Sequence, residues 1–230
     1  MTSIRDRYRA MFGHGRETER IIFFSDAVFA IALTLLVIDL RVPVEDHGET
    51  SGDVIVTLLP GFLAYFISFV VIAVNWLRHH RTFQVIKEYD SRLLQLNFVL
   101  LFLIALLPFP TSLMSEYAGE VPSVVLYAAM VALLNLAQLA MWSYAYRRGL
   151  MDKTIDEPMY RYVRRSLLIV PIVFAISILI AIFWDPTIAM FSWIALWPIS
   201  EIVPRLAFRK RAQAVTSKVD TESSAPGTSE

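Results

Sequence analysis

The 230-residue chain contains no cysteine. A disulfide framework, a thiolate metal site and a cysteine nucleophile are thereby all excluded. Histidine is scarce too, with His14, His47, His79 and His80 the whole set. Only the last two lie near an apolar stretch, and adjacent helix positions diverge by about 100°, so they do not converge on one metal ion. No catalytic residue, metal ligand or cofactor is expected, and the chain does not read as an enzyme. Charge is equally sparse: 18% of residues are ionisable, with 21 bases balancing 21 acids. No basic patch with interleaved aromatics occurs, which argues against nucleic acid as a partner.

What the chain has in abundance is apolar surface. Hydrophobic residues make up 56% and the mean hydropathy is +0.54, against ~45–50% apolar for a soluble domain. This composition belongs to an integral membrane protein whose solvent is the lipid bilayer. Stretches able to cross about 30 Å of hydrocarbon fall at 19–41, 54–77, 92–114, 121–146, 164–184 and 186–204. The fifth and sixth join through Trp184-Asp185-Pro186, where proline suits a helix start. Pro198 and Pro204 should bend or end the last span. The expected fold class is therefore an all-α integral membrane protein with six transmembrane helices.

Charge placement orients these spans. Of the 21 Lys and Arg residues, 20 lie up to Arg20 or in 78–92, 147–165 and 205–218, while the alternate loops carry acids such as Glu45, Asp46, Glu49 and Asp53. Under the positive-inside rule both termini are cytoplasmic, which requires an even number of spans. Interfacial belts are expected from Tyr117, Trp184 and Trp193 outside and from Trp76, Trp142, Tyr144 and Tyr146 inside. No small-residue cleavage site follows an early apolar core, so the first span is expected to act as its own insertion signal. The chain divides into a cytoplasmic segment at 1–18, a membrane domain at 19–211 and a disordered acidic, Ser/Thr-rich tail at 212–230.

The first span has two differently made faces. At about 100° per residue, Phe24, Ala27, Ile31, Leu35 and Ile38 fall near one line, with Thr34 about 60° to its side. Ser25 and Asp26 point away by about 120° and 140°. Asp26 lies roughly 10 Å up the helix from Glu19, at a depth where a carboxylate costs about 2.5–3.5 kcal/mol and needs a partner. The topology offers Asn75, Trp76 and His79 on the second span and Asn97 on the third. Asp26 and Ser25 are expected to bond to that group and fix the first helix. Arg20 falls near the aliphatic stripe by angle, and it either snorkels to the inner interface or pairs with Glu17, Glu19 or Glu201.

At these residues the chain resembles prokaryotic members of the endosomal and lysosomal potassium-channel family, the transmembrane protein 175 family. The signature Arg, three residues, then Phe-Ser-Asp stands complete as Arg20, Phe24, Ser25 and Asp26, and a second similar stretch runs Trp76-Leu-Arg-His79-His-Arg-Thr-Phe83, followed by Asn97 and Pro108-Phe109. The resemblance covers the first half strongly, and the rest only as span count and topology. It implies a homotetrameric channel in the prokaryotic plasma membrane, permeable to potassium and other monovalent cations, with no re-entrant filter loop. It also implies that the first helix lines the pore, with Ile31 as the narrowest ring, Leu35 and Ile38 as further apolar rings and Thr34 as a hydroxyl ring. Asp39 would stand at the outer mouth. Two other readings use the same spans: a secondary transporter, which needs polar groups converging at mid-membrane such as Asn135 and Gln138, and a non-conducting scaffold.

Overall fold

The computed structural model describes residues 16–38, 40, 51–117 and 119–193. Among them regular structure is helical, apart from one isolated antiparallel bridge between Ile86 and Met151. In chain order the helices are α1 (Arg16–Ile38), α2 (Ser51–Val85), α3 (Ser91–Leu106), α4 (Pro108–Glu116), α5 (Val121–Arg147) and α6 (Glu157–Phe183). A further helical stretch, α7 (186–193), reaches the edge of the described residues. Among the described residues five segments are long and apolar enough to cross a membrane: Glu19–Ile38, Val54–Val85, Ser91–Glu116, Val121–Arg147 and Glu157–Phe183. The sixth expected span, 186–204, opens as α7 and continues outside the described residues, as do Asp39, Pro198, Pro204, the tail at 212–230 and residues 1–15 of the N-terminal segment.

Three boundaries differ from the sequence expectation, each for a local reason. The third span is broken into α3 and α4, because Pro108 and Pro110 have no N–H to donate. At the break, Leu107 N–H bonds Ile104 O at 3.2 Å, a three-residue step, and Thr111 N–H resumes the helical pattern on Leu107 O at 3.2 Å. The second helix runs on to Val85 instead of ending near 77. His79, Thr82, Phe83 and Ile86 keep a buried face past the basic residues, so packing carries the helix beyond the apolar window. On α6 the start moves back to Glu157, where Asp156 caps the helix through the Met159 N–H at 2.9 Å.

α5 forms the interior of the chain. Tyr127, Ala128, Leu134, Met141 and Ala145 are completely buried, as expected of a helix apolar on all sides and wrapped by neighbours. α3, α4 and α6 pack around it, and α1 lies against α2, α3 and α4. Two aromatics expected at the interfaces are core residues instead. Trp193 stacks on Tyr127 and Phe174 and donates to Ser177 Oγ at 2.9 Å. Trp142 is also buried, whereas Trp184 is 84% exposed.

On the side assigned to the cytoplasm, the α2–α3 and α5–α6 loops are zipped together. Lys87 N–H bonds Leu150 O at 2.9 Å, and Asp152 N–H bonds Val85 O at 2.8 Å. Gly149, at φ 67°, ends α5 in a conformation suited to glycine, with Leu150 N–H closing on Ala145 O at 3.0 Å. Beside this clamp Asp90 caps α3 through the Leu93 N–H at 2.9 Å and accepts a bond from the Tyr144 hydroxyl. Desolvation by itself would raise the Asp90 carboxyl. The Tyr144 hydroxyl, the Leu93 N–H and nearby Arg148 outweigh it, and the group is held below the ordinary carboxylate value.

A pH dependence follows. A carboxyl depressed in the folded state contributes stability that is present above its unfolded value of about 3.9 and is lost as pH falls through the folded value. Asp90→Asn keeps the cap and removes the charge. It should therefore lower the thermal midpoint of the purified protein at pH 7, with the difference from wild type closing as the pH is taken below about 4. A difference independent of pH would assign the loss to geometry instead.

Candidate functional site

One face of α1 is built to be held. Ser25, Phe29, Ala32 and Leu36 recur at helical spacing and are at most 1% exposed. Behind them runs a chain of hydrogen bonds with a fixed direction. The Ser25 hydroxyl donates to Ile21 O of its own helix at 2.8 Å. Its oxygen is then free to accept, and Asn97 Nδ2 of α3 donates to it at 3.1 Å. That turns Asn97 Oδ1 toward His79 Nε2 of α2, 2.8 Å away. Because the amide oxygen only accepts, His79 must carry its proton on Nε2. The imidazole sits between Phe29 and Phe83, with ring centroids at 5.4 and 4.5 Å.

A second link binds α1 to α2. Trp76 Nε1–H donates to Asp26 Oδ1 at 2.8 Å, and the indole stacks on His80 at 5.5 Å. Asp26 is only half-buried. Of the polar group expected from the sequence, Trp76 and Asn97 bond the Ser25–Asp26 pair directly, His79 joins it through Asn97, and Asn75 does not. The Asn75 side chain folds back on Val71 O at 2.9 Å, and its backbone carbonyl accepts from Gln138 Nε2 of α5 at 2.8 Å.

The opposite face of α1 is left largely open by the described residues, apart from the Phe24 ring, which meets Phe98 of α3 edge-on at 5.9 Å. Phe24, Ile31, Leu35 and Ile38 are 52%, 57%, 40% and 58% exposed, and Ala27 and Thr34 lie open beside them. Thr34 Oγ1 donates to Ile31 O at 2.8 Å, so its proton is committed to the helix and its lone pairs face outward. Arg20 is exposed at the inner end of the same helix and forms no ion pair with a described residue.

Three buried polar contacts were not identified from the sequence as structural. Ser68 Oγ of α2 lies 2.8 Å from Thr111 Oγ1 of α4 and 3.0 Å from the Tyr127 hydroxyl of α5. Arg78 donates to Asn135 Oδ1 at 2.9 Å, and Gln138 reaches α2 as described. Their only signal was polarity inside apolar runs. Asn135 and Gln138, the groups a transporter would need at mid-membrane, are spent on joining α5 to α2. Among the described residues no group of three or more potential metal ligands occurs.

The sequence profile of the endosomal/lysosomal potassium channel TMEM175 family matches residues 20–108. A potassium channel of Streptomyces collinus is 37% identical over 154 residues, covering 64% of this chain and 74% of that protein. The crystal structure of a lysosomal potassium-selective channel TMEM175 homolog from Chamaesiphon minutus superposes with a TM-score of 0.69 at 27% identity, over 82% of this chain and 98% of that one. The human endosomal/lysosomal proton channel TMEM175 is 32% identical over 139 residues, and this chain spans 28% of its length.

Proposed function

Since this chain belongs to the TMEM175 family of endosomal/lysosomal potassium channels, we propose that it forms a potassium-permeable cation channel, a homotetramer in the prokaryotic plasma membrane with α1 of each subunit at the axis. The observation that carries the reading is the division of α1. Its Ser25–Phe29–Ala32–Leu36 face is locked to α2 and α3, while the aliphatic stripe containing Ile31, 57% exposed, is left open by the described residues.

In the tetramer, four Ile31 side chains form an apolar ring that dewets when narrow and passes ions when slightly wider. Selectivity then comes from dehydration: potassium holds its water less tightly than sodium, so the ring penalises sodium more. Thr34, one turn outward, offers oxygen lone pairs to an ion that has lost part of its shell, and Leu35 and Ile38 extend the oily wall. With so few oxygens the potassium-over-sodium preference is modest. Asp39 and the acidic 45–53 segment concentrate cations at the outer mouth within a screening length of about 8 Å. Arg20, some 16 Å below Ile31 along the helix, belongs at the inner headgroup level and does not enter the narrow ring.

A liposome flux assay with purified protein tests the reading. Potassium and caesium should pass faster than sodium, with no saturation and no coupled proton movement. Saturable, proton-coupled uptake would replace the channel with a transporter, and an absence of single-channel events would leave a scaffold.

A further inference from the structure

Arg164 and Arg165, on the first turns of α6, are exposed and form no ion pair with a described residue. The acids nearest in sequence are already engaged. Glu157 pairs with Arg161 at 3.3 Å and accepts from the Tyr146 hydroxyl, Asp156 caps Met159, and Asp152 holds Lys87 at 3.4 Å. At about 100° per residue the two arginines share a sector roughly 120° wide with Ile172, Ile176, Leu179 and Phe183. These four are 53%, 49%, 56% and 81% exposed, while Leu167, Phe174, Ser177 and Ala181 bury the other side of the helix.

The length of this face matches the full thickness of the bilayer. From Arg165 to Phe183 the helix rises about 27 Å, close to the ~30 Å of hydrocarbon. With Phe183 and the 84%-exposed Trp184 at the outer rim, the two guanidinium groups stand at the depth of the inner phosphates. Arg147 and Arg148, exposed at the end of α5, add positive charge on the same side of the membrane.

We propose that this face of α6 binds an anionic phospholipid of the cytoplasmic leaflet, its phosphate held by Arg164 and Arg165 and an acyl chain lying along Ile172 and Ile176. Guanidinium matches phosphate through paired, charge-assisted hydrogen bonds. The charge of the arginines and the length of the apolar strip favour this occupant: a second copy of the chain would have to bring carboxylates to both cations, and Glu157, Asp156 and Asp152 are already bound within their own subunit.

The test uses the full chain in detergent, with short-chain phosphatidylglycerol, short-chain phosphatidylcholine or inorganic phosphate added separately, and compares wild type with Arg164→Gln/Arg165→Gln. Phosphatidylglycerol alone should raise the wild-type thermal midpoint. Near the membrane surface each arginine contributes roughly fivefold in affinity, so the double variant should need about thirtyfold more lipid for the same shift. It should also retain fewer phosphatidylglycerol adducts in native mass spectrometry. An unchanged lipid titration in the variant overturns the proposal, and so does an equal shift from phosphatidylcholine. A shift reproduced by inorganic phosphate would mean a plain anion site. A variant that elutes at a smaller size in the absence of lipid would give this face to a neighbouring subunit.

Discussion

Replacing Ile31 with asparagine should raise single-channel conductance several-fold and bring the potassium-to-sodium permeability ratio toward one. The two side chains have similar reach, so the change is chiefly chemical. An apolar ring excludes ions because water leaves it when it is narrow. Four amides would hold water in the same space, and a sodium ion could then pass with its shell largely intact. The position also suits a clean experiment. Ile31 is 57% exposed within one chain, and its replacement leaves the Ser25–Asn97–His79 thread untouched, so the fold should survive. Planar-bilayer recording of the purified variant under bi-ionic potassium and sodium gives both quantities. Unchanged currents would remove Ile31 from the pore. Loss of protein from the tetramer peak would place it in a packed interface.

The second large effect is expected at Asn97, which donates to Ser25 and accepts from His79. Asn97→Ala strands the His79 Nε2–H in the interior, where an unsatisfied buried group costs about 1–3 kcal/mol, and removes the donor to Ser25, whose own hydroxyl stays on Ile21 O. Contacts of this kind between membrane helices contribute about 0.6–2 kcal/mol each. A combined loss of about 2–4 kcal/mol is therefore expected, enough to lower the thermal midpoint clearly and loosen α1 from α3. Because α1 would no longer be held with its aliphatic face outward, the tetramer peak in size exclusion should fall as well. Asp26→Ala removes one bond, to Trp76, from a half-buried carboxylate, and should do the same to a lesser degree. If Asp26→Ala keeps both tetramer and midpoint while altering permeation, the acid stands in the conduction path and its bond to Trp76 is incidental.

These expectations rest on a part of the molecule that was unusually readable. The angular count along the first span separated Ser25 from Ile31, and the structure buries the one completely and leaves the other open. An aspartate inside an apolar run demands a donor, and the donor-bearing residues at comparable depth were few, so Trp76, His79 and Asn97 could be named together. Their pairing could not. Whether Asn97 turns its oxygen or its nitrogen to His79 depends on Ser25 first donating to Ile21 O, a condition set by three helices at once. Asn75 shares the depth of this group but sits on the α5 side of α2, which hydropathy does not report.

Where the reading from sequence departed from the fold, a local rule met a non-local one. The apolar window ended the second span near 77, yet buried His79, Thr82 and Phe83 continue the helix to Val85. Trp142 and Trp193 fit interfacial belts by type and position, but neighbouring helices cover both. Pro108 and Pro110 were visible, and their effect on the third span is explained by missing N–H groups alone.

Span count, charge asymmetry and the two-faced first helix are properties of the chain in one dimension, because transfer into a bilayer is close to a sum over residues and the helical repeat is constant. These the amino-acid sequence determined by itself. Which helix is enclosed, which polar groups meet and which apolar stripe is left without a neighbour depend on how helices cross, and a crossing brings together residues such as Ser25 and Asn97 that are 72 positions apart. Only the tertiary structure decided that the held side of α1 is the one carrying Ser25 and Phe29, and that the open side is the one carrying Ile31 and Thr34.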